Sequence, residues 1–237
     1  MTPTQGPGAG GARLAVPDTD LCAGIGLAFV AGFVDAAAFI ALAGLFTAHV
    51  TGNFVLIGAE LVSTSVGVVA KLLALPAFVL AVAATRLFAL ALERRGRAPL
   101  RWLLGLEILL LAGFGLAGLG LAPLGSPDGV RAVSVGMLGV AAMGVQNAIG
   151  RLGLPHLAAT TVMTINVTQA VIDLVDLARG AVTPDGPARI RMRRMLPAVL
   201  AFAVGALAGA FGVAAWSFGC LAVPVAVLCG LMLLLDA

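Results

Sequence analysis

Tyrosine is absent, and all aromatics together supply only 5% of the 237 residues. Base-stacking platforms are built from aromatic side chains, so a nucleic-acid partner is not expected. Charge is equally scarce, at 11%, where an ordinary soluble domain carries about a quarter. Cys22, Cys220 and Cys229 have no metal-ligand spacing and read as small hydrophobes in or beside apolar runs. His49 and His156 stand alone, so no metal is expected. The chain has no Gly-x-Ser-x-Gly, no His-Glu-x-x-His and no phosphate loop. An aspartyl mechanism would need two deep carboxylates, and only Asp35 lies well inside an apolar run. Neither an enzyme nor a cofactor is expected.

Apolar residues make up 61%, and the mean hydropathy is +1.10. Several runs approach or exceed the roughly 20 residues that cross a bilayer. The fold class expected is therefore all-α, a polytopic membrane protein whose main partner is the lipid bilayer. Residues 1–19, rich in Gly, Pro and Thr, read as a disordered tail ahead of a single transmembrane domain over 20–236. Apolar spans are expected near 21–45, 66–92, 101–121 and 131–150, with two more within 196–235 broken near Ser217 and Gly219. Trp102 and Trp216 suit span boundaries.

Two polar stretches interrupt this pattern. Leu45 to Leu61 reads LFTAHVTGNFVLIGAEL, and Ala158 to Leu174 reads AATTVMTINVTQAVIDL. Displaced by 113 positions, Thr47 falls on Thr160, Thr51 on Thr164, Asn53 on Asn166 and Glu60 on Asp173. At a shift of 112, Gly32, Asp35 and Ala36 of GFVDA fall on Gly144, Asn147 and Ala148 of GVQNA. The chain thus reads as two repeats, about 20–123 and 131–236.

Arginine sets the expected topology. The 93–101 and 179–194 segments are short and Arg-rich, so both belong in the cytoplasm. An even number of crossings must separate them, yet three segments lie between. If the polar stretches do not cross, about six helices span and both termini are cytoplasmic. All Lys and Arg except Lys71 and Arg131 then fall on the inner side. The repeats are inverted, and the two stretches form short re-entrant or broken helices. Asn53 and Asn166 would start and cap these helices, which point toward each other near the midplane, a geometry that slightly favours an anion. The alternative is eight crossings in a parallel repeat.

GFVDA (Gly32–Ala36), TGN (Thr51–Asn53) and GVQNA (Gly144–Ala148) are similar to the markers of the YoaK family of bacterial membrane proteins. The resemblance covers roughly residues 20–235 and implies a multi-pass inner-membrane protein without a settled activity. That family commonly carries Thr-Gly in the second stretch, where this chain has Thr164-Ile165, so unequal bending of the two halves is expected.

These features favour a transporter or channel for a small polar solute. The candidate site comprises Asp35, Thr51, Gly52, Asn53, Gln146, Asn147, Thr164 and Asn166, with Glu60, Arg151 and Asp173 as coupling or structural charges. Asp35 either lines a pathway or pairs with Arg151. Glu107 is expected to pair with Arg86, and Asp176 to face a loop. Gly205-x-x-x-Gly209 is a close-packing signature, within the chain or between copies in a homo-oligomer. The alternative function is a non-transporting scaffold or lipid-interacting protein.

Overall fold

The computed structural model describes residues 18–62, 67–120, 126–154, 157, 160–161, 163–180 and 186–235. The expected tail, apart from its last two positions, lies outside them, as does His156. The described residues form helices α1 (Asp18–Ala41), α2 (Gly52–Glu60), α3 (Val68–Glu93), α4 (Leu100–Leu119), α5 (Val130–Leu152), α6 (Met163–Ala178), α7 (Pro187–Trp216) and α8 (Ala222–Leu235). A 3-10 turn, Ser217–Leu221, joins the last two. There is no strand among the described residues. Among the described residues, five apolar segments are long enough to cross a membrane, the fifth being the 48-residue stretch Ala188–Leu235. The chain is a multi-pass membrane protein.

That fifth segment turns back on itself. Ser217 adopts φ 49° and ends α7, and a Cβ on Gly212 would lie 2.9 Å from the Cβ of Cys220. Both arms then pack on α1. Gly205 sits against the carbonyl of Phe29 and Gly209 against that of Phe33, so α1 and α7 run parallel. Gly26 meets Leu231, which makes α8 antiparallel to both. On the other side, Gly32 of α1 faces the carbonyl of Phe202. Three glycines thus let two backbones touch, as small residues do between membrane helices. The Gly205-x-x-x-Gly209 motif is spent inside the chain.

A methyl at Gly209 would sit 2.2 Å from the Phe33 carbonyl, where backbone must move to admit it. Gly209→Ala is therefore expected to cost about 1–3 kcal/mol. Gly113→Ala, with open space around it, should be neutral. Thermal melting of the detergent-purified variants checks the contrast, and equal melting would disprove the contact.

The matching contact in the other half is Gly144 of α5 against Ala81 and Phe78 of α3. α5 also packs on α4, whereas α3 and α4 barely touch despite their short connection. For that reason Arg86 does not reach Glu107 as expected. It pairs along its own helix with Glu93 at 3.3 Å, on the exposed face.

Asp128 anchors the start of α3 from the far end of the chain's first half. Its carboxylate accepts the N–H groups of Gly67 and Val69, both at 3.0 Å. These two bonds hold the carboxyl below its ordinary value. The folded state therefore favours the ionised form. Its contribution is present above the ordinary carboxylate pKa and is lost as pH falls through the lowered folded value. Asp128→Ala should cost about 0.5–2 kcal/mol at pH 7. In melts from pH 7 to 3, the gap between wild type and variant should close toward acid; a constant gap would exclude the cap.

Candidate functional site: two polar loops anchored alike

α1 stops at Ala41, earlier than the apolar run itself, because Ala43 (φ 51°) and Gly44 (φ 85°) reverse the chain. Residues 45–50 then re-enter the bundle, with Leu45 and Thr47 fully buried. Room comes from glycine on α5: Leu45 lies against Gly136 and the Thr47 methyl against Gly139.

A re-entrant backbone must satisfy its own polar groups, since lipid offers none. Asp35, buried on α1, does most of this. Its Oδ1 accepts the N–H groups of Thr47 and Ala48, each at 2.7 Å, and the Thr47 hydroxyl at 3.2 Å. Its Oδ2 lies 2.7 Å from Nδ1 of His49. Asn53 serves the remaining loop peptide: Oδ1 accepts from the Phe46 N–H at 3.0 Å and Nδ2 donates to the Phe46 carbonyl at 2.9 Å.

Two expectations are corrected by these contacts. Asp35 does not pair with Arg151, which lies exposed near the end of α5. The re-entrant loop supplies nearer donors, so no guanidinium is drawn in. Asn53 does not cap α2, whose cap residue is Thr51 with no side-chain bond. The amides of Gly52, Asn53 and Phe54 instead donate to the carbonyls of His49, Val50 and Thr51. With those amides occupied, the start of α2 has lost much of its attraction for an anion.

The second half repeats the plan with other atoms. Asn147 donates to the Met143 carbonyl at 2.9 Å, and its Oδ1 accepts from the Thr161 hydroxyl at 2.7 Å. Thr161 is the 113-shifted counterpart of Ala48. Gln146 donates to the Leu27 carbonyl of α1 at 2.8 Å and reaches Thr160 Oγ1 at 3.5 Å. Asn166 is buried and its amide points to the Met163 sulfur at 3.7 Å. With the 113-position displacement applied, α6 starts two positions earlier than α2, with Ile165 inside the helix and exposed. Gly52, by contrast, lies under the Phe46 ring.

Each short helix carries an ion pair to the helix that follows. Glu60 pairs with Lys71, a wholly buried side chain in the first turn of α3 that also donates to the Ala43 carbonyl at 2.7 Å. Asp173 takes Arg191 Nη2 at 2.6 Å, Nε at 3.2 Å and Gln169 at 3.0 Å. Arg191 stands in the second turn of α7.

Both helices also hide polar residues and show apolar ones. Asn53 is buried while Phe54 and Val55 are exposed; Asn166 and Asp173 are buried while Ile165, Val171, Ile172 and Leu174 are exposed. A soluble amphipathic helix has the opposite pattern, so these faces suit lipid. At about 14 and 24 Å they are shorter than a roughly 30 Å hydrocarbon core.

The loops draw near each other along α5, Thr47 at Gly139 and Thr160 at Gln146, two turns or about 10 Å apart. α2 and α6 do not pack together, and Thr51 and Thr164 are exposed. The sequence set aside His49, yet it is the half-open end of the Asp35 network, edge-on to Phe202 at 5.5 Å. The reversal at Gly44 was the signal that could have joined it to Asp35. Lys71 and Arg191 were likewise missed as partners, since they are not 113 positions apart.

No curated protein and no solved structure matches the chain. A family profile, described as protein of unknown function (DUF1275), matches residues 23–234 and so takes in both polar loops. The chain belongs to the DUF1275 family.

Proposed function

We propose that the chain is a transporter of a small polar solute in the bacterial inner membrane, with the two polar loops forming its central site. It acts without catalysis, cofactor or metal. The observation that carries this reading is the duplicated anchoring: a polar residue on α1 or α5 holds the loop, and an acidic residue on α2 or α6 is tied to the next helix. Six crossings with cytoplasmic termini, as an inverted repeat, fit the parallel course of α1 and α7 and the antiparallel course of α7 and α8. The GFVDA, TGN and GVQNA markers, similar to those of the YoaK family, agree with an inner-membrane setting. Facing helix ends no longer recommend an anion, because the first amides of α2 are occupied.

A scaffold is the second reading, and one observation favours it: Asp35 and Asn53 spend their hydrogen bonds on the loop itself. Flux in reconstituted vesicles separates the two. Asn53→Ala loses two buried bonds of roughly 1 kcal/mol each, so uptake should drop about tenfold or more while the bundle stays folded. Asn166→Ala should act in the same direction. No flux for the wild type across a broad screen of polar solutes would leave the scaffold reading.

A further inference from the structure

Glu107 lies outside both loops, in the middle of α4, and is fully buried. Neither of its carboxyl oxygens has a hydrogen-bond partner among the described residues. One helix away, Oε1 of Gln146 is also buried without a partner. Antiparallel packing puts them at one depth. Gly153 of α5 meets Leu100 of α4, and Gly139 meets Phe114. Midway between those contacts, Glu107 comes level with Gln146.

Three acceptor oxygens therefore share one depth with no donor among them, between helices that otherwise offer Leu103, Leu104, Leu111 and Phe114. Gln146 already directs its amide hydrogens to Leu27 and Thr160, so its oxygen is the end left over. An ionised carboxylate here would be a bare charge within the membrane domain, which is costly. A proton removes the charge and supplies the missing donor in one step. A metal ion is poorly served, since no group of three His, Cys, Asp or Glu side chains occurs among the described residues. The charged and titratable groups on the packed elements do not replace the proton. Arg131 and Arg151 lie exposed at opposite ends of α5, and Arg101 is exposed at the start of α4. The 3-10 turn brings Cys220, and α8 brings Cys229 to nearly the depth of Glu107, as Gly118 against Phe218 and Gly115 against Leu221 set the register.

We propose that Glu107 and Gln146 form a proton-binding site between α4 and α5, in which Glu107 is a neutral acid at pH 7 and Gln146 Oε1 is the acceptor level with it. The site goes beyond the transport reading and does not depend on it.

Infrared spectroscopy of the full chain in lipid vesicles tests it without any flux measurement. The wild type at pH 7 should show a protonated-carboxyl C=O band that shifts in D2O, and Glu107→Gln should lack it. Gln146→Leu should keep the band but move it to higher frequency, as the carboxyl loses its acceptor. No acid band in the wild type, or one that survives Glu107→Gln, overturns the proposal. A band abolished by sodium ions at constant pH makes the ligand a sodium ion and also overturns it. Failure of Glu107→Gln to fold counts against it too, because the amide is an uncharged isostere of the proposed acid. An unmoved band in Gln146→Leu removes Gln146 from the site.

Discussion

Asp35→Ala is expected to melt the first polar loop and to lower the Tm of the purified protein sharply. Two buried backbone N–H groups and a hydroxyl lose their acceptor at once. Each unsatisfied buried donor costs about 1–3 kcal/mol. Asp35→Asn should be far milder, because one oxygen can still take the Thr47 and Ala48 amides. The second half already uses an asparagine, Asn147, at the equivalent place. Arg151→Gln should neither reproduce the loss nor relieve it. Melting curves and protease access at residues 46–49 are the readouts, and an Asp35→Ala protein that melts like wild type would remove Asp35 as the anchor.

Lys71→Met should be comparably severe. It leaves Glu60 without its ammonium and the Ala43 carbonyl without its donor. Breaking one side of a buried pair costs about 3–5 kcal/mol. The double variant Lys71→Met with Glu60→Gln should recover much of that, since no lone carboxylate remains. Arg191→Gln should cost less, because the Arg191 side chain is 47% exposed and water screens the pair. If the double variant is as unstable as Lys71→Met alone, the charge is not what Lys71 supplies.

The spans were legible because each is a long apolar run, and the cost of exposing backbone to lipid leaves helix as the form available to them. Their ends were less so. Leu45 belongs to the apolar run of α1 but not to its helix, since the Ala43–Gly44 reversal is a backbone event that hydropathy does not register. Displacing the sequence against itself matched Asp35 with Asn147 and Glu60 with Asp173, but not their partners. Lys71 and Arg191 do the same job from different offsets, chiefly because α6 runs five residues past Asp173 whereas α2 ends at Glu60. Glu107 was assigned to Arg86 because α3 and α4 are neighbours in sequence. Packing places α5 against each of them instead, and the carboxylate turns inward.

The glycine contacts between α1 and α7 bear on how the chain is made. α1 is made before α7, with the backbone at Phe29 and Phe33 that receives Gly205 and Gly209 still bare. Its cover, α7, is made only after α3, α4 and α5. Until then the first polar loop can be held by its own anchor on Asp35, while this face of α1 waits for its partner.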